Sequence, residues 1–433
     1  MSGAGSSRPL GTLLRSLGRS YGAVFTRLDC DTRYGVELLS QSDMFSSEPQ
    51  GRRIRLDSLP VPERHRVVKD QVLLAGAGTL GKTELYGRAV YADEPLVGKY
   101  VGPDAMVLEF AEPGSDAALC AYAFLCTRLG VQAVRSTSYG TKILRFRTDL
   151  LHSLPLPEPS GAVRTRVASL IRSSLAQRRS AYVLQRRARV LLGQDQGISE
   201  SAQLVGKRSR KAVVWSGALP TLRGWTYASA GKALALLRSR SEARLADFIA
   251  DRGLYQGPRF GRVECEAPYG VDLLSQRDVF MAKRVPQRIR QPNIPDRELY
   301  PERYSLLLAC DGQLSEGTLF GRVEIAETVP VGTAVSEHIL RMNPLNEARG
   351  LLYAFLSSDV GYRLLQSTAV GTSIPKMRLD LVASLPVPEL STTTLQELEG
   401  FVSAAAAARV AAEDDEARAV ALLETEVIPA WLS

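Results

Sequence analysis

The chain has 433 residues, 45% of them hydrophobic and 23% charged. That is enough for two or three domains with cores of their own, and it excludes a disordered or low-complexity protein. A formal net charge of +8 and a pI near 9.3 favour an anionic partner: nucleic acid, an acidic protein or a membrane surface.

Five cysteines without a C-x-x-C pair argue against a disulfide framework or a zinc ribbon, and Cys30 and Cys265 read as small buried residues. The opening MSGAGSSRPL lacks the apolar stretch of a signal peptide, and no apolar run approaches the ~20 residues needed to span a bilayer. A cytoplasmic protein is expected.

From the N-terminus to about Glu158, short apolar runs (Val72–Ala75, Met106–Phe110, Ile143–Phe146) alternate with Gly, Pro and acidic clusters. This pattern suits short strands in an α+β domain, and Asp116–Leu129 carries helical spacing. A long helix is predicted over Gly161–Gly193. Its seam would comprise Val163, Val167, Leu170, Ser174, Gln177, Ala181, Leu184, Ala188 and Leu191, in steps of four and three as in a coiled coil. Lys207–Lys211 reads as a basic linker, Ala233–Ile249 as a short helix, and Glu347–Gln366 as helical.

A second long helix is expected from a cap at Ser391 to near Ile428–Pro429. Leu395, Leu398, Val402 and Ala405 share the spacing, and Val420, Leu423 and Val427 resume it after a phase slip near Glu413–Glu416. Between Gly161 and Gly193 there are eight arginines and no acidic residue; between Ser391 and Ile428 there are eight acidic residues against two arginines. The two helices are therefore expected to pair antiparallel, with charge setting the register. Arg172, Arg179, Arg186, Leu395, Leu398 and Val402 are the candidate partner-binding residues. The expected layout is a first domain over 1–159, a long helix over 160–205, a linker with a second domain over 206–390, and a C-terminal helix over 391–433.

That layout rests on an internal repeat. Tyr34–Phe45 (YGVELLSQSDMF) and Tyr269–Phe280 (YGVDLLSQRDVF) are identical at nine of twelve positions. The correspondence runs from Arg27–Cys30 with Arg262–Cys265 to Ser153–Glu158 with Ser384–Glu389, and its offset drifts only from 235 to 231. Two related surfaces on one scaffold are implied.

Gly76–Thr83 (GAGTLGKT) satisfies the P-loop pattern, in which Lys82 would reach phosphates and Thr83 would hold magnesium. The following residues read as strand and turn rather than helix, and the second copy has Glu316 in place of the lysine. A nucleotide-hydrolysing enzyme is the alternative kept on this motif, and a tandem protein-interaction adaptor is another. Asn343-Pro344-Leu345-Asn346 lacks the second proline and the aromatic ring of a base-gripping methyltransferase loop. His65, His152 and His338 are isolated, and no Gly-x-Ser-x-Gly elbow occurs.

No chemistry of the chain's own emerges: no catalytic residue, metal ligand or cofactor is assigned to it. What remains is recognition. The candidate DNA-binding residues are Arg52, Arg53, Arg55, Arg135, Ser136, Thr137, Lys142 and Arg145, with Arg288, Arg290, Gln366, Ser367, Thr368, Ser373 and Lys376 in the second copy. Such side chains suit phosphate and base-edge contacts.

The order of these elements resembles the specificity subunit of Type I restriction-modification systems. The resemblance covers nearly the whole chain as architecture. As sequence it rests on Gly78–Gly81 (GTLG), Gly140-Thr141 through Leu154–Glu158 (LPLPE), and Gly371–Pro375 (GTSIP) through Leu385–Glu389 (LPVPE). It implies two tandem, pseudo-twofold-related target recognition domains separated by long antiparallel coiled-coil helices, gripping an asymmetric bipartite double-stranded DNA site. It also implies two methyltransferase subunits that carry S-adenosylmethionine, and it admits a restriction or translocase subunit. The family's Gln-rich helix start and its Gly-x-Thr-Pro segment are absent, as expected of a divergent branch serving restriction-modification or a related phage-defence methylation system.

Overall fold

Each copy of the repeat folds around a four-stranded antiparallel sheet flanked by a smaller three-stranded one. The computed structural model describes residues 6–19, 25–30, 34–205, 224–315, 317–345, 347–371 and 373–433. The linker Lys207–Lys211, Glu316, Asn346 and Thr372 lie outside the described residues. The chain divides into two units. The first comprises Met1–Arg179, Met281–Lys283 and Ala411–Ser433; the second comprises Ser180–Phe280 and Arg284–Val410. The division falls within both long helices.

In the first unit the sheet order is Leu14–Arg19, Ala105–Phe110, Val72–Ala75, Ala89–Tyr91. Side chains along a strand alternate between faces, so Val72 and Leu74 join the core formed with the helix Asp116–Cys126. Leu73 and Ala75 join a smaller core with Leu39, Met44 and Phe45. The second unit repeats this arrangement in Ile249–Gln256, Ile339–Pro344, Leu306–Ala309 and Val323–Ile325. There Leu306 and Leu308 face one core, while Leu307 and Ala309 face another with Leu274, Val279 and Phe280. The small sheet places Gly35–Leu39 between antiparallel Arg52–Arg55 and parallel Tyr100–Val101; Val271–Leu274 lies likewise between Gln287–Ile289 and Ala334–Val335.

Four expectations change. The helix read over Asp116–Leu129 ends at Cys126, and a second one, Arg128–Ser136, leaves at 83°. The Thr127 hydroxyl accepts from the Gly130 N–H and caps the new helix; the stretch read as helical over Glu347–Gln366 breaks in the same way into Arg349–Leu356 and Asp359–Ser367, with Ser358 accepting from the Gly361 N–H. Ala233–Ile249 is likewise not one helix: Gly224–Arg240 stops, and Leu245–Phe248 is a 3-10 turn. The break frees the Leu245 N–H to bond Leu385 O at 2.9 Å, as the Leu10 N–H bonds Leu154 O at 2.8 Å. The correspondence reaches back further still, to Pro9 paired with Pro155 and Arg244 bridging Pro386, earlier than the sequence alone reveals. Finally, Cys30 and Cys265 are half-buried rather than buried.

The central helix spans Gly161–Leu192 and the C-terminal helix Thr392–Leu422, the latter followed by a π turn, Leu423–Val427, and by Ile428–Leu432. Within the first unit, Arg166 pairs with Glu426 and the Ser174 hydroxyl donates to Ala412 O at 2.7 Å, so the two segments run in opposite directions. Within the second, Ala188 and Leu192 share a core with Leu398, Val402 and Ala406, with Leu395 packed against it.

The buried seam of the central helix differs from the predicted one at alternate positions. Val167, Ser174, Ala181 and Ala188 are buried as expected, but their companions are Ile171, Gln185 and Leu192 rather than Leu170, Leu184 and Leu191. On the C-terminal helix the seam runs through Leu398, Val402, Ala405, Arg409, Ala412, Glu416, Ala419 and Leu423 with no slip at the acidic run. Charged residues inside the seam hid its period. The extra residue is absorbed at the π turn instead.

Candidate nucleic-acid interface

The repeated motif is mostly internal fastening. Ser40 and Ser275 cap one-turn helices in boxes closed by Asp43 and Asp278. The next residue, Gln41, donates from Nε2 to Ala77 O at 2.8 Å and accepts from the Ala77 N–H at 3.1 Å. Gln276 makes the same two bonds to Asp311, at 2.8 and 3.1 Å. The amide thereby replaces a missing strand partner for the glycine-rich turn. Ala77–Gly78 pairs on its other side with Leu144–Arg145, and Asp311 bridges Lys376. No helix follows Thr83: Glu84–Arg88 is turn, and Ala89–Tyr91 is strand. The P-loop match is therefore a framework turn.

Several candidate contacts are buried in the same framework, and this is a correction. Arg135 donates from Nε to Tyr86 O at 2.8 Å and from Nη2 to Glu84 O at 2.9 Å. Burial pulls its pKa down, because the charge has left water for carbonyl partners. Gln366 occupies the equivalent place, donating to Ser315 O at 3.3 Å and Phe320 O at 3.5 Å. Both lie over a glycine with positive φ, Gly87 at 84° and Gly321 at 90°, where an added Cβ would meet the Arg135 or Gln366 Cγ at 2.8 or 3.4 Å. Thr137, Ser367 and Thr368 are buried too, their hydroxyls donating to carbonyls three residues back. These five side chains hold the turn and are withdrawn from the surface that could touch a phosphate.

The remaining candidates lie further out. Arg52, Arg55, Ser136, Lys142, Arg290, Ser373 and Lys376 are exposed; Arg53, Arg145 and Arg288 are half-buried. Arg52 pairs with Asp29 and Arg55 with Asp57. Arg145 pairs with Asp104 at 3.1 Å and Arg288 with Asp272 at 3.0 Å. Lys376 lies 3.5 Å from Asp311, which also accepts from His338, so that histidine is not isolated. The candidates divide between the end of the small sheet (Arg52, Arg53, Arg55; Arg288, Arg290) and the glycine-turn side (Lys142, Arg145; Ser373, Lys376).

The helix arginines go elsewhere than expected. Arg172 pairs with Asp116, Arg179 with Asp93 and Glu94, and Arg186 lies 5.8 Å from the Tyr182 ring. The central ion pair is instead Arg178 with Glu416, which also accepts from the Tyr122 hydroxyl at 3.0 Å and Lys283 at 3.1 Å. Burial alone would raise the Glu416 carboxyl, but Arg178 and Lys283 outweigh it and hold it well below the usual carboxylate range. Lys283 arrives on the short segment Met281–Lys283, where Met281 bridges Ser46 and the Ala282 N–H donates to Phe45 O at 2.7 Å.

Among the described residues no group of three or more His, Cys, Asp or Glu is placed to hold a metal, and no single helix is long and apolar enough to cross a membrane.

No family model matches the chain, and no curated protein matches it. Solved structures of type I restriction-modification proteins resemble it along nearly its whole length. The S subunit from M. genitalium is 13% identical, with 97% of this chain and 94% of that one covered, at a TM-score of 0.35. The HsdS subunit from Thermoanaerobacter tengcongensis is 12% identical, with 99% and 93% covered, at 0.26. A chain from a structure of complex assembly and conformational transition in the type I R-M system is 13% identical, with 97% and 96% covered, at 0.27.

Proposed function

We propose that this chain is a non-catalytic specificity subunit of a restriction-modification or related phage-defence methylation complex. Two target recognition domains each read one part of an asymmetric bipartite DNA site, and the paired long helices, as an antiparallel coiled coil, set the spacing. At ~1.5 Å per residue a 32-residue helix is about 48 Å long, on the order of 14 base pairs at ~3.4 Å each. Two methyltransferase subunits carry S-adenosylmethionine and act where this chain directs them.

The observation that supports this reading is one framework built twice and dressed differently. Gln41 and Gln276 make the same bonds, as do the Thr127 and Ser358 caps. Around the fixed turns the outward residues change, from Lys142 to Ser373 and from Arg145 to Lys376. Holding the fold while varying the outer side chains is what two different half-sites require.

Methylome sequencing of cells expressing this chain with its adjoining methyltransferase gene tests it. The expected motif is gapped and asymmetric; a continuous or palindromic motif counts against two independent readers. In vitro, DNA affinity should fall steeply with salt, because phosphate contacts release counterions.

A further inference from the structure

The end of the small sheet carries a second repeated feature that framework bonding does not explain. Tyr34 and Tyr269 occupy matching positions and are 79% and 75% exposed. Beside them in sequence, Leu28 and Val263 also match, at 46% and 62% exposed. A buried residue kept in both copies is accounted for by packing, as with Ile54 and Ile289, both fully buried one residue along from the arginines. Exposed apolar and aromatic surface kept twice has no such account.

The backbone beneath is the same in both copies. The Arg55 N–H donates to Leu28 O at 2.9 Å, and the Arg290 N–H to Val263 O at 2.8 Å. The Cys30 N–H donates to Arg53 O, and the Cys265 N–H to Arg288 O, each at 3.2 Å. The guanidinium of Arg53 donates to Gly35 O at 3.3 Å; that of Arg288 donates to Tyr269 O at 2.9 Å and Gly270 O at 3.1 Å. An arginine of the neighbouring strand thus holds the carbonyl next to Tyr34 in one copy and the carbonyls of Tyr269 and Gly270 in the other.

We propose that Tyr34 and Tyr269 are DNA-backbone contacts, one for each half-site, with Arg55 and Arg290 supplying charge beside the ring. This rests on the DNA-recognition reading above and adds residues and a role to it. Identical residues at matched places cannot distinguish two different half-sites, so what they touch is common to both: sugar and phosphate, which tyrosine and arginine position without reading sequence. Charge favours nucleic acid over a protein partner. An exposed arginine stands beside each ring: Arg55 lies opposite Gly35, and Arg290 follows Ile289, which lies opposite Val271.

The test uses the full chain with two fluorescein-labelled duplexes of unrelated sequence, read by anisotropy, with binding of the adjoining methyltransferase measured in parallel. Both tyrosines are exposed, so Tyr34→Ala and Tyr269→Ala should leave thermal unfolding nearly unchanged, which checks folding. Each is expected to weaken binding about ten-fold, the order of one lost phosphate hydrogen bond together with ring packing on the sugar, and by the same factor on both duplexes. Tyr→Phe should lose less, since the ring remains. Arg290→Ala should reduce the salt slope by about one. Unchanged DNA affinity with loss of methyltransferase binding would make these ends protein-docking sites and overturn the proposal; so would a loss confined to one duplex. If the unsubstituted chain binds no DNA even with the methyltransferase present, the recognition reading itself falls.

Discussion

Glu416→Gln is the substitution with the largest expected consequence for its size. The carboxylate is buried and bonded by Tyr122, Arg178 and Lys283, so the amide preserves shape while leaving two cations without the charge that compensates them. Breaking a buried pair in this way costs about 3–5 kcal/mol. For a unit of this size each kcal/mol lowers the melting temperature by roughly 2–4 °C, so a fall of about 6–20 °C is expected by scanning calorimetry at pH 7. The sign of the pH dependence follows from the lowered Glu416 pKa. A depressed folded value contributes stability that is complete above the unfolded value, about 4.3, and is lost as pH falls below it. The gap between wild type and Glu416→Gln should therefore be full at pH 7 and close progressively below about pH 4.5. Replacing the group together, as Arg178→Met with Lys283→Met and Glu416→Leu, should recover most of the loss, because no unpaired charge stays buried. A Glu416→Gln protein melting within about 2 °C of wild type at pH 7, with no narrowing in acid, would refute the reasoning.

Gln41→Ala should cost about 1–3 kcal/mol in denaturant unfolding, since both polar groups of Ala77 lose a partner, and Gln276→Ala should cost a similar amount through Asp311; an unchanged midpoint would show the lock to be idle. Lys82→Ala should leave calorimetric ATP titrations as flat as those of wild type, and binding that disappears on substitution would restore the nucleotide site. Arg409→Met combined with Glu324→Leu should retain stability but yield a mixture of species by size-exclusion chromatography; a single monodisperse species would show that this ion pair does not select the helix pairing.

What was legible in the sequence was periodicity and repetition. Gly161–Gly193 reads as a helix and forms one over Gly161–Leu192, because nothing in that stretch breaks a helix. The runs at Val72–Ala75 and Met106–Phe110 are strands within a residue of their reading. Less legible was what repeated residues are for. Arg135 and Gln366 look like surface donors in sequence, and only their position over Gly87 and Gly321 shows that their hydrogen bonds are spent on carbonyls. The seam was misplaced because Ile171 and Leu192 are as apolar as their neighbours Leu170 and Leu191, and because the hydrophobic signal ranks Leu184 above Gln185, although Gln185 faces inward. The first part of each repeat was missed because Leu10 and Leu245 sit in otherwise dissimilar text, their equivalence carried by matching backbone bonds, equal burial and a 3-10 turn that opens at each.

The inward-facing charges address a problem that duplication creates. Two helices with the same apolar spacing offer alternative pairings, and apolar contacts alone discriminate poorly among them. Arg178 and Arg409 are equivalent in the repeat, yet each has its own carboxylate. Arg178 meets Glu416, whose equivalent on the central helix is the neutral Gln185. Arg409 meets Glu324 on a strand where the first copy has Val90 at the matching register, opposite Leu73 as Glu324 lies opposite Leu307. An arm placed in the other copy's seat would bury Arg409 against valine, at the several kcal/mol that an unpaired interior charge costs. The correct arrangement satisfies both arginines, so the duplicated halves are distinguishable to the folding chain although their hydrophobic patterns are nearly the same.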